Sequence, residues 1–412
     1  MIRVIELFAG IGAQAEALKE ANIEHEVVAI SEIDKYAIKA YELLHGPVNN
    51  LGDIRNIHFL PKADLWTYSF PCTDISLAGS MKGFEKDSGT GSSLLWEVQR
   101  LLKQSASVNE LPKYLLLENV KNIVSKKFMP LFQVWVDYLS SLGYKSFWKV
   151  LNAKDYGVPQ NRERTFMISI LDCDKDFVFP KKEELKVTLS DLLEPNVDEK
   201  YFLSDRLIKC FASMKDRNGF VRGVRFRLLT EKSAYAYTIS TCPGSRATDN
   251  FIMVPAIGAL RGRKNEEDKY EQKLEINKQG LCNTITTVQK DNVVIVPQAT
   301  RDGYAAAEVG DGIYTNRCKS KRGVVQKGMI PTLKCSTYDV GVVVNDPNDL
   351  ISVRRLTPRE CWRLMGWSDE RIDCVMNSDI SETQLYKMAG NSIVVNCLSK
   401  IVKILFNPLF KK

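Results

Sequence analysis

Five short apolar runs punctuate the first 180 residues: VIELF (4–8), EVVAI (26–30), DLWTYSF (64–70), YLLLE (114–118) and TFMISI (165–170). Each is almost continuously apolar and rich in branched or aromatic side chains, the pattern of a strand covered on both faces. Between them the period becomes helical. In SSLLWEVQRLLKQ, the residues Leu94, Leu95, Val98, Leu101 and Leu102 fall on one face. Strands alternating with helices predict an α/β domain with a parallel, doubly wound sheet over 1–180. After FVFPKKEE (177–184) the alternation stops. A threefold echo follows: AYTISTCPGSRATDNFIMV, then CNTITTVQKDNVVIV, then IPTLKCSTYDVGVVV. Each copy is a Thr-aliphatic strand start, a polar turn and a second apolar strand, which predicts a smaller β-rich domain over 181–350. In the closing GNSIVVNCLSKIVKIL, the residues Ile393, Val394, Cys397, Leu398, Ile401 and Leu405 recur at helical spacing. So apolar a face needs a core to cover it. Residues 380–412 are therefore expected to complete the first domain, with 351–379 as a hinge or connecting segment.

Composition narrows the class. No apolar run approaches the roughly 20 residues of a membrane span. MIRVIELFAG enters a strand pattern at once, without the layout of a signal peptide. A soluble, cytoplasmic and monomeric protein is expected. The ten cysteines contain no C-x-x-C pair, and His25, His45 and His58 stand apart from all of them, so reduced thiols and no metal are expected. Charge is unevenly spread: 1–180 carry 20 Lys+Arg against 22 Asp+Glu, whereas 181–350 carry 27 against 22. Clusters such as Arg222, Arg225, Arg227 and Lys319, Lys321, Arg322 put the basic excess in the second half, which suggests a polyanionic partner.

Four short stretches carry the chemistry. In FAGIGAQAEAL, Phe8 ends a strand, Gly10 and Gly12 make a tight turn, and a helix begins at Ala13; glycines there let backbone approach a ligand closely. Glu32 closes the second strand, where a ribose hydroxyl would be held, so an adenosine-type cofactor is indicated, a nicotinamide dinucleotide included. In YSFPCTDIS, Cys72 follows a strand end and Pro71, at the sheet edge where open α/β folds bind ligands. YLLLENV delivers Glu118 and Asn119 to the same edge. QNRER sets Gln160, Arg162 and Arg164 in alternation ahead of another strand, which points both arginines one way.

Taken in order, FAGIG, SEID, GDI, FPCTDIS, ENV, QNRER, RRLTPRE and GNSIV resemble the cytosine-5 DNA methyltransferases along nearly the whole chain, more weakly over 181–330. One departure is visible: Thr73 stands where the family usually has Gln after Pro-Cys, a change beside the nucleophile and not at it. The resemblance implies a Rossmann-like S-adenosylmethionine-dependent methyltransferase domain with a β-rich target-recognition domain. It implies Cys72 as nucleophile toward carbon 6 of a flipped-out cytosine and Glu118 as proton donor to ring nitrogen 3. Arg164 would hold the base oxygen, Arg162 and Gln160 would support the site and its phosphates, and Asn119 would shape the loop. Phe8, Gly10, Ile11, Gly12, Glu32, Ile33, Asp53, Ile54, Asn391 and Ser392 would line the S-adenosylmethionine pocket. Ser76, Asn119, Gln160 and the pair Thr332-Leu333 would meet double-stranded DNA. The glycine-rich loop 76–95 would close over it. A companion restriction endonuclease is a further expected partner. An RNA cytosine-5 methyltransferase of the same fold is the near alternative, and the large basic insert favours DNA. A nicotinamide-dependent oxidoreductase leaves Cys72, ENV and QNRER without a purpose, and a regulator with a dead site does not need Cys72 and Glu118.

Overall fold

The computed structural model describes residues 1–75, 83–86, 88–202, 228–229, 233–243, 249–254, 257–264, 270–277, 292–297, 304–307, 312–314, 325–326, 340–342 and 352–407. They fall into two units. Met1–Leu192, Ala234–Cys242 and Pro358–Lys412 form the first; Leu193–Ser233 and Pro243–Thr357 form the second. The first unit thus takes in the chain from Pro358, upstream of the expected 380, and a nine-residue piece from the middle of the expected β-rich domain.

The first unit is built on strands β1 (Ile2–Leu7), β2 (His25–Ser31), β3 (Leu65–Tyr68), β4 (Tyr114–Val120), β5 (Tyr144–Asn152) and β7 (Glu163–Leu171), in the order β2-β1-β3-β4-β7-β5; the two-residue β6 (Gln160–Asn161) stands apart from this sheet. The chain steps outward from β1 to β2 through helix α1 (Ala13–Glu20), then returns across β1 to β3 through α2 (Lys35–His45). That reversal opens a crevice at the carboxyl ends of β1 and β3.

The sheet is mixed, not wholly parallel as expected. β7 runs antiparallel to both β4 and β5. Only a short 3-10 turn (Ala153–Tyr156), Gly157 and β6 separate β5 from β7. Such a connection cannot hold a crossover helix, so the next strand has to reverse. Strand β5 itself carries no continuous apolar run because it is the partly exposed sheet edge.

Helices α3 (Leu95–Ser107) and α4 (Met129–Ser141) cover one face. Leu95, Val98, Leu101 and Leu102 meet Trp66, Tyr68, Phe132 and Trp135 in one buried cluster, while Leu94 falls in the preceding 3-10 turn and stays half-exposed. On the C-terminal side come α5 (Pro358–Arg363), α6 (Asp369–Met376), α7 (Glu382–Asn391) and α8 (Val395–Leu405), and α8 packs on α1. Glu382–Leu405 is long and apolar enough to cross a membrane by composition alone. Its backbone turns extended at Ser392 and Val394, however, and Val395, Leu398, Ile401 and Leu405 are core residues. Each such side chain contributes about 1.5–3 kcal/mol on burial.

The second unit is β-rich. Phe251–Val254 lies between Leu228–Leu229 and Ser352–Arg355. Ile257–Lys264, Tyr270–Asn277, Asn292–Pro297 and Tyr304–Ala307 make a four-stranded sheet, and Gly312–Tyr314, Val325–Gln326 and Val340–Val342 a three-stranded one. Phe251–Val254, Asn292–Pro297 and Val340–Val342 are the second strands of the three sequence echoes. The basic clusters at 222–227 and 319–322 lie outside the described residues.

Candidate active site

The turn after β1 is made by a run of left-handed backbone: Phe8 (φ 58°), Gly10 (φ 57°) and Gly12 (φ 77°). A Cβ on Gly12 would lie 2.5 Å from His45 Nε2 and 2.6 Å from the Tyr41 ring, so only glycine fits against α2. Gly12 accordingly faces α2 and does not line the cleft as expected. Gly10 does line it, with open space where its Cβ would be. The Gly10 N–H donates to Glu32 Oε2 at 2.8 Å, and the other oxygen of Glu32 accepts from the Ile33 and Asp34 amides at 2.8 and 2.9 Å. Asp34 caps α2 and pairs at 2.6 Å with Lys387 of α7.

The cleft that begins there has a volume of about 350 Å³. At one end Phe8, Ile11, Glu32, Ile33, Asp53, Ile54, Asn391 and Ser392 line it; at the other end are Cys72, Glu118, Asn119, Arg162 and Arg164. The first end suits a nucleoside. Ile33 is an apolar side chain left 70% exposed, a surface that a flat apolar ring would cover. Glu32 offers carboxylate lone pairs held in place by backbone, and Gly10 leaves room for close approach.

The second end is assembled from three strand termini. Beyond β3, the turn Ser69–Cys72 is tied down twice: Asn119 Nδ2 donates to the Phe70 carbonyl at 3.0 Å, and Ser92 Oγ to the Pro71 carbonyl at 2.7 Å. Cys72 is thereby half-buried in the cleft wall. The end of β4 supplies Glu118, 8% exposed. Because β7 is reversed, its first residues lie at this same edge, with Arg164 opposite Val120. The Arg164 Nε stands 3.3 Å from Glu118 Oε1. Burial pushes the Glu118 carboxyl up, against the opposing pull of Arg164 and Arg162. Burial, with the Glu118 charge behind it, also pushes the Cys72 thiol up. Burial thus pushes both groups in the direction of their protonated forms, and the two arginines oppose it at both.

Arg162 lies deeper, 3% exposed, and its fork is spent on backbone: Nη1 donates to the Ile239 carbonyl at 3.3 Å, and Nη2 to the Gly390 and Ser392 carbonyls at 3.0 and 2.8 Å. Gln160, expected at the DNA, has no exposed surface. Its Nε2 donates to the Leu364 carbonyl at 2.5 Å and its Oε1 accepts from the Ile239 amide at 3.2 Å. Strand alternation does not carry across this stretch, because β6 pairs with Ala236–Tyr237 and not with the central sheet. Ser76, Thr332 and Leu333 lie outside the described residues. Lys387, Asp34 and Ser92 escaped the sequence reading, since each acts through a partner distant in the chain and has no local motif.

The C-5 cytosine-specific DNA methylase family model matches residues 2–407. The chain is 31% identical to the type II methyltransferase M2.ScrFI of Lactococcus lactis subsp. cremoris, over 98% of this chain and 99% of that one. It is 29% identical to the orphan methyltransferase M.SPRI of Bacillus phage SPR, over 100% and 99%. Among solved structures, the S. pombe Dnmt2 methyltransferase aligns over 99% of both chains with a TM-score of 0.60 at 19% identity, which speaks for the fold. A cysteine and a buried carboxyl at one end of a cleft, a nucleoside-shaped wall at the other and a family match over almost every residue agree: the chain belongs to the C-5 cytosine-specific DNA methylases and is a DNA (cytosine-5) methyltransferase.

Proposed function

We propose that the protein methylates carbon 5 of a cytosine flipped out of a short, specific duplex site, with Cys72 as covalent nucleophile and Glu118 as acid. The observation that carries this reading is the grouping of Cys72, Glu118 and Arg164 in one cleft wall, with Arg164 Nε 3.3 Å from the Glu118 carboxyl. Carbon 5 of cytosine is a weak nucleophile while the ring is conjugated. The Cys72 thiol loses its proton to solvent and the sulfur adds to carbon 6, forming an S–C bond and shifting the ring π electrons so that carbon 5 becomes the nucleophilic carbon of an enamine. Glu118, whose carboxyl burial pushes toward the protonated form, gives its proton to nitrogen 3 as charge develops there. Arg164 orients that carboxyl and faces the base oxygen. S-adenosylmethionine, when bound between Gly10, Glu32, Ile33 and Asn391, supplies an electrophilic methyl group. After transfer, which leaves S-adenosylhomocysteine, the carbon 5 proton passes to water, the S–C bond breaks to return the Cys72 thiolate, and nitrogen 3 gives its proton back to Glu118. Arg162, Asn119 and Gln160 position the wall and do not touch substrate. The second unit reads the site with its basic excess, Thr332-Leu333 included.

The relatives' names include both type II and orphan methyltransferases, so modification accompanies an endonuclease in some settings and stands alone in others. The test is covalent capture. DNA carrying 5-fluorocytosine cannot lose the carbon 5 substituent as a proton, so the adduct accumulates and migrates as one species on a denaturing gel. Wild-type protein should be trapped and Cys72→Ser should not. Capture of the serine variant would move the nucleophile elsewhere, and capture on fluorinated RNA but not DNA would move the substrate.

A further inference from the structure

In mid-course the chain leaves the second unit once and comes back. Ala234–Cys242 belongs to the first unit, yet Ser233 and Pro243, its covalent neighbours, belong to the second. This strap is bound along its length. Its Ala236 N–H donates to the Pro159 carbonyl at 2.8 Å, and Ala236-Tyr237 pair in parallel with Gln160-Asn161. The Thr238 hydroxyl donates to the Asn161 carbonyl at 2.8 Å. Ile239 is 2% exposed, and its amide and carbonyl engage Gln160 and Arg162. The Lys154 ammonium sits 4.8 Å from the Tyr235 ring centre.

The strap ends against a glycine. A Cβ on Gly390 would lie 2.6 Å from the carbonyl carbon and oxygen of Ser240 and from the Thr241 nitrogen, all of them backbone atoms that cannot swing aside. The Gly390 carbonyl meanwhile accepts from Arg162, as does that of Ser392. One guanidinium therefore ties together the strap and the Gly390–Ser392 turn, whose own residues line the cleft. Fixing the backbone of nine residues costs conformational entropy at every one of them. A plain connector through solvent would avoid that cost.

We infer that Gly390 is a positioning residue for DNA selection: its bare backbone, with Arg162 and Gln160, seats the strap from which both arms of the second unit extend. The inference rests on reading the second unit as the part that recognises DNA. It assigns a target-selecting role to a residue of the cofactor-side turn, and it makes the fit of one stretch of backbone against another a determinant of DNA affinity.

Two variants test it. Gly390→Ala forces Ser240 away; Thr238→Val removes one exposed hydroxyl bond from the strap and leaves the cleft untouched. Three quantities are measured: DNA dissociation constants for target-bearing and target-free duplexes by gel shift, KM for plasmid DNA, and affinity for S-adenosylhomocysteine by calorimetry. Gly390→Ala should raise KM for DNA at least tenfold and narrow the gap between the two duplexes; the readout that cofactor binding is spared, S-adenosylhomocysteine affinity within twofold of wild type, belongs to Thr238→Val, which lies off the cleft. Thr238→Val should act in the same direction by about fivefold, the effect of one net hydrogen bond. Unchanged DNA affinity in Thr238→Val overturns the inference, and it decides alone if Gly390→Ala does not fold. Parallel loss of S-adenosylhomocysteine and DNA affinity in Thr238→Val overturns it as well. Covalent capture of the wild type on fluorinated DNA is read separately: its failure sinks the proposed chemistry, whereas capture with unaltered selection in the variants sinks only the strap.

Discussion

Glu118 and Cys72 illustrate what burial does to a pair of titrating groups. Water is excluded from both, so each is driven toward its uncharged form, and the two arginines offset this only in part. For the acid that is useful as it stands, because proton donation needs the neutral carboxyl. For the thiol it is a restraint that is lifted as charge moves onto the base during attack. The pH dependence follows in sign. Turnover should rise with pH as the Cys72 thiol ionises and be held back as Glu118 loses its proton, so the profile should be bell-shaped, with an alkaline fall that requires Glu118 to titrate. Glu118→Gln should lower kcat by roughly 10²–10⁴-fold while S-adenosylhomocysteine binding persists, and the alkaline fall should vanish from its profile. An unchanged rate would remove Glu118 from the proton transfer. At this scale the sequence was most legible where a chemical residue directly follows a strand: Pro71-Cys72 after β3 and Glu118-Asn119 at the end of β4. Gln160 was misplaced because its amide is satisfied by backbone at Leu364 and Ile239, partners that no local pattern announces.

Among the elements, β1 carries a residue at odds with its surroundings. Glu6 is wholly buried in β1, with only the Tyr41 hydroxyl and the Ala15 backbone amide beside its carboxyl, among the described residues, to offset the loss of water. Burial pushes its carboxyl up to about 8. The folded protein therefore holds this proton more tightly than the unfolded chain, whose glutamates titrate near 4.3. Stability is unaffected below that lower value, declines as pH rises between the two, and reaches its full penalty above about 8, up to about 5 kcal/mol. Glu6→Gln keeps the shape without the charge. Its thermal midpoint should stay level from pH 5 to 9 relative to a falling wild type, and parallel curves would show that Glu6 is not the source. The remaining elements divide by burial. Five of the six strands of this sheet were readable as apolar runs, the edge strand β2 among them; β5 was not, since Lys145, Ser146 and Lys149 interrupt its apolar positions. The reversed β7 was invisible for a different reason. Strand direction is set by the length of the β5–β7 connection, not by the composition of the strand.

For the whole molecule, the change of texture after residue 180 pointed to a second, β-rich unit, and the uneven charge to a polyanion. The strap was not legible. AYTIST has the same Thr-aliphatic form as the two later echoes, and only pairing with Gln160-Asn161 sets it apart. Likewise RRLTPRE reads as a connecting segment until the buried Cys361, Trp362 and Leu364 of α5 and its following turn are seen in the first unit. Interleaving of this kind arises because compactness is decided by which surfaces meet, and a chain can leave a unit and re-enter it without any local mark.

The position of α8 has a consequence in time. The ribosome delivers Met1–Leu192 first, but α8 (Val395–Leu405), the partner of α1, is made last, after roughly 200 further residues, which at 5–20 residues per second is a wait on the order of 10–40 s. Throughout it, the flank of α1 that Leu398, Ile401 and Leu405 will cover stays open to water and to other chains. The catalytic half is thus a nascent chain that cannot close on itself. A chain stopped after Thr357 should stay protease-sensitive and aggregate, and supplying Pro358–Lys412 as a separate peptide during synthesis should restore a soluble, S-adenosylhomocysteine-binding product. A stopped chain as protease-resistant as the full one would show that the first 192 residues close without their last helix.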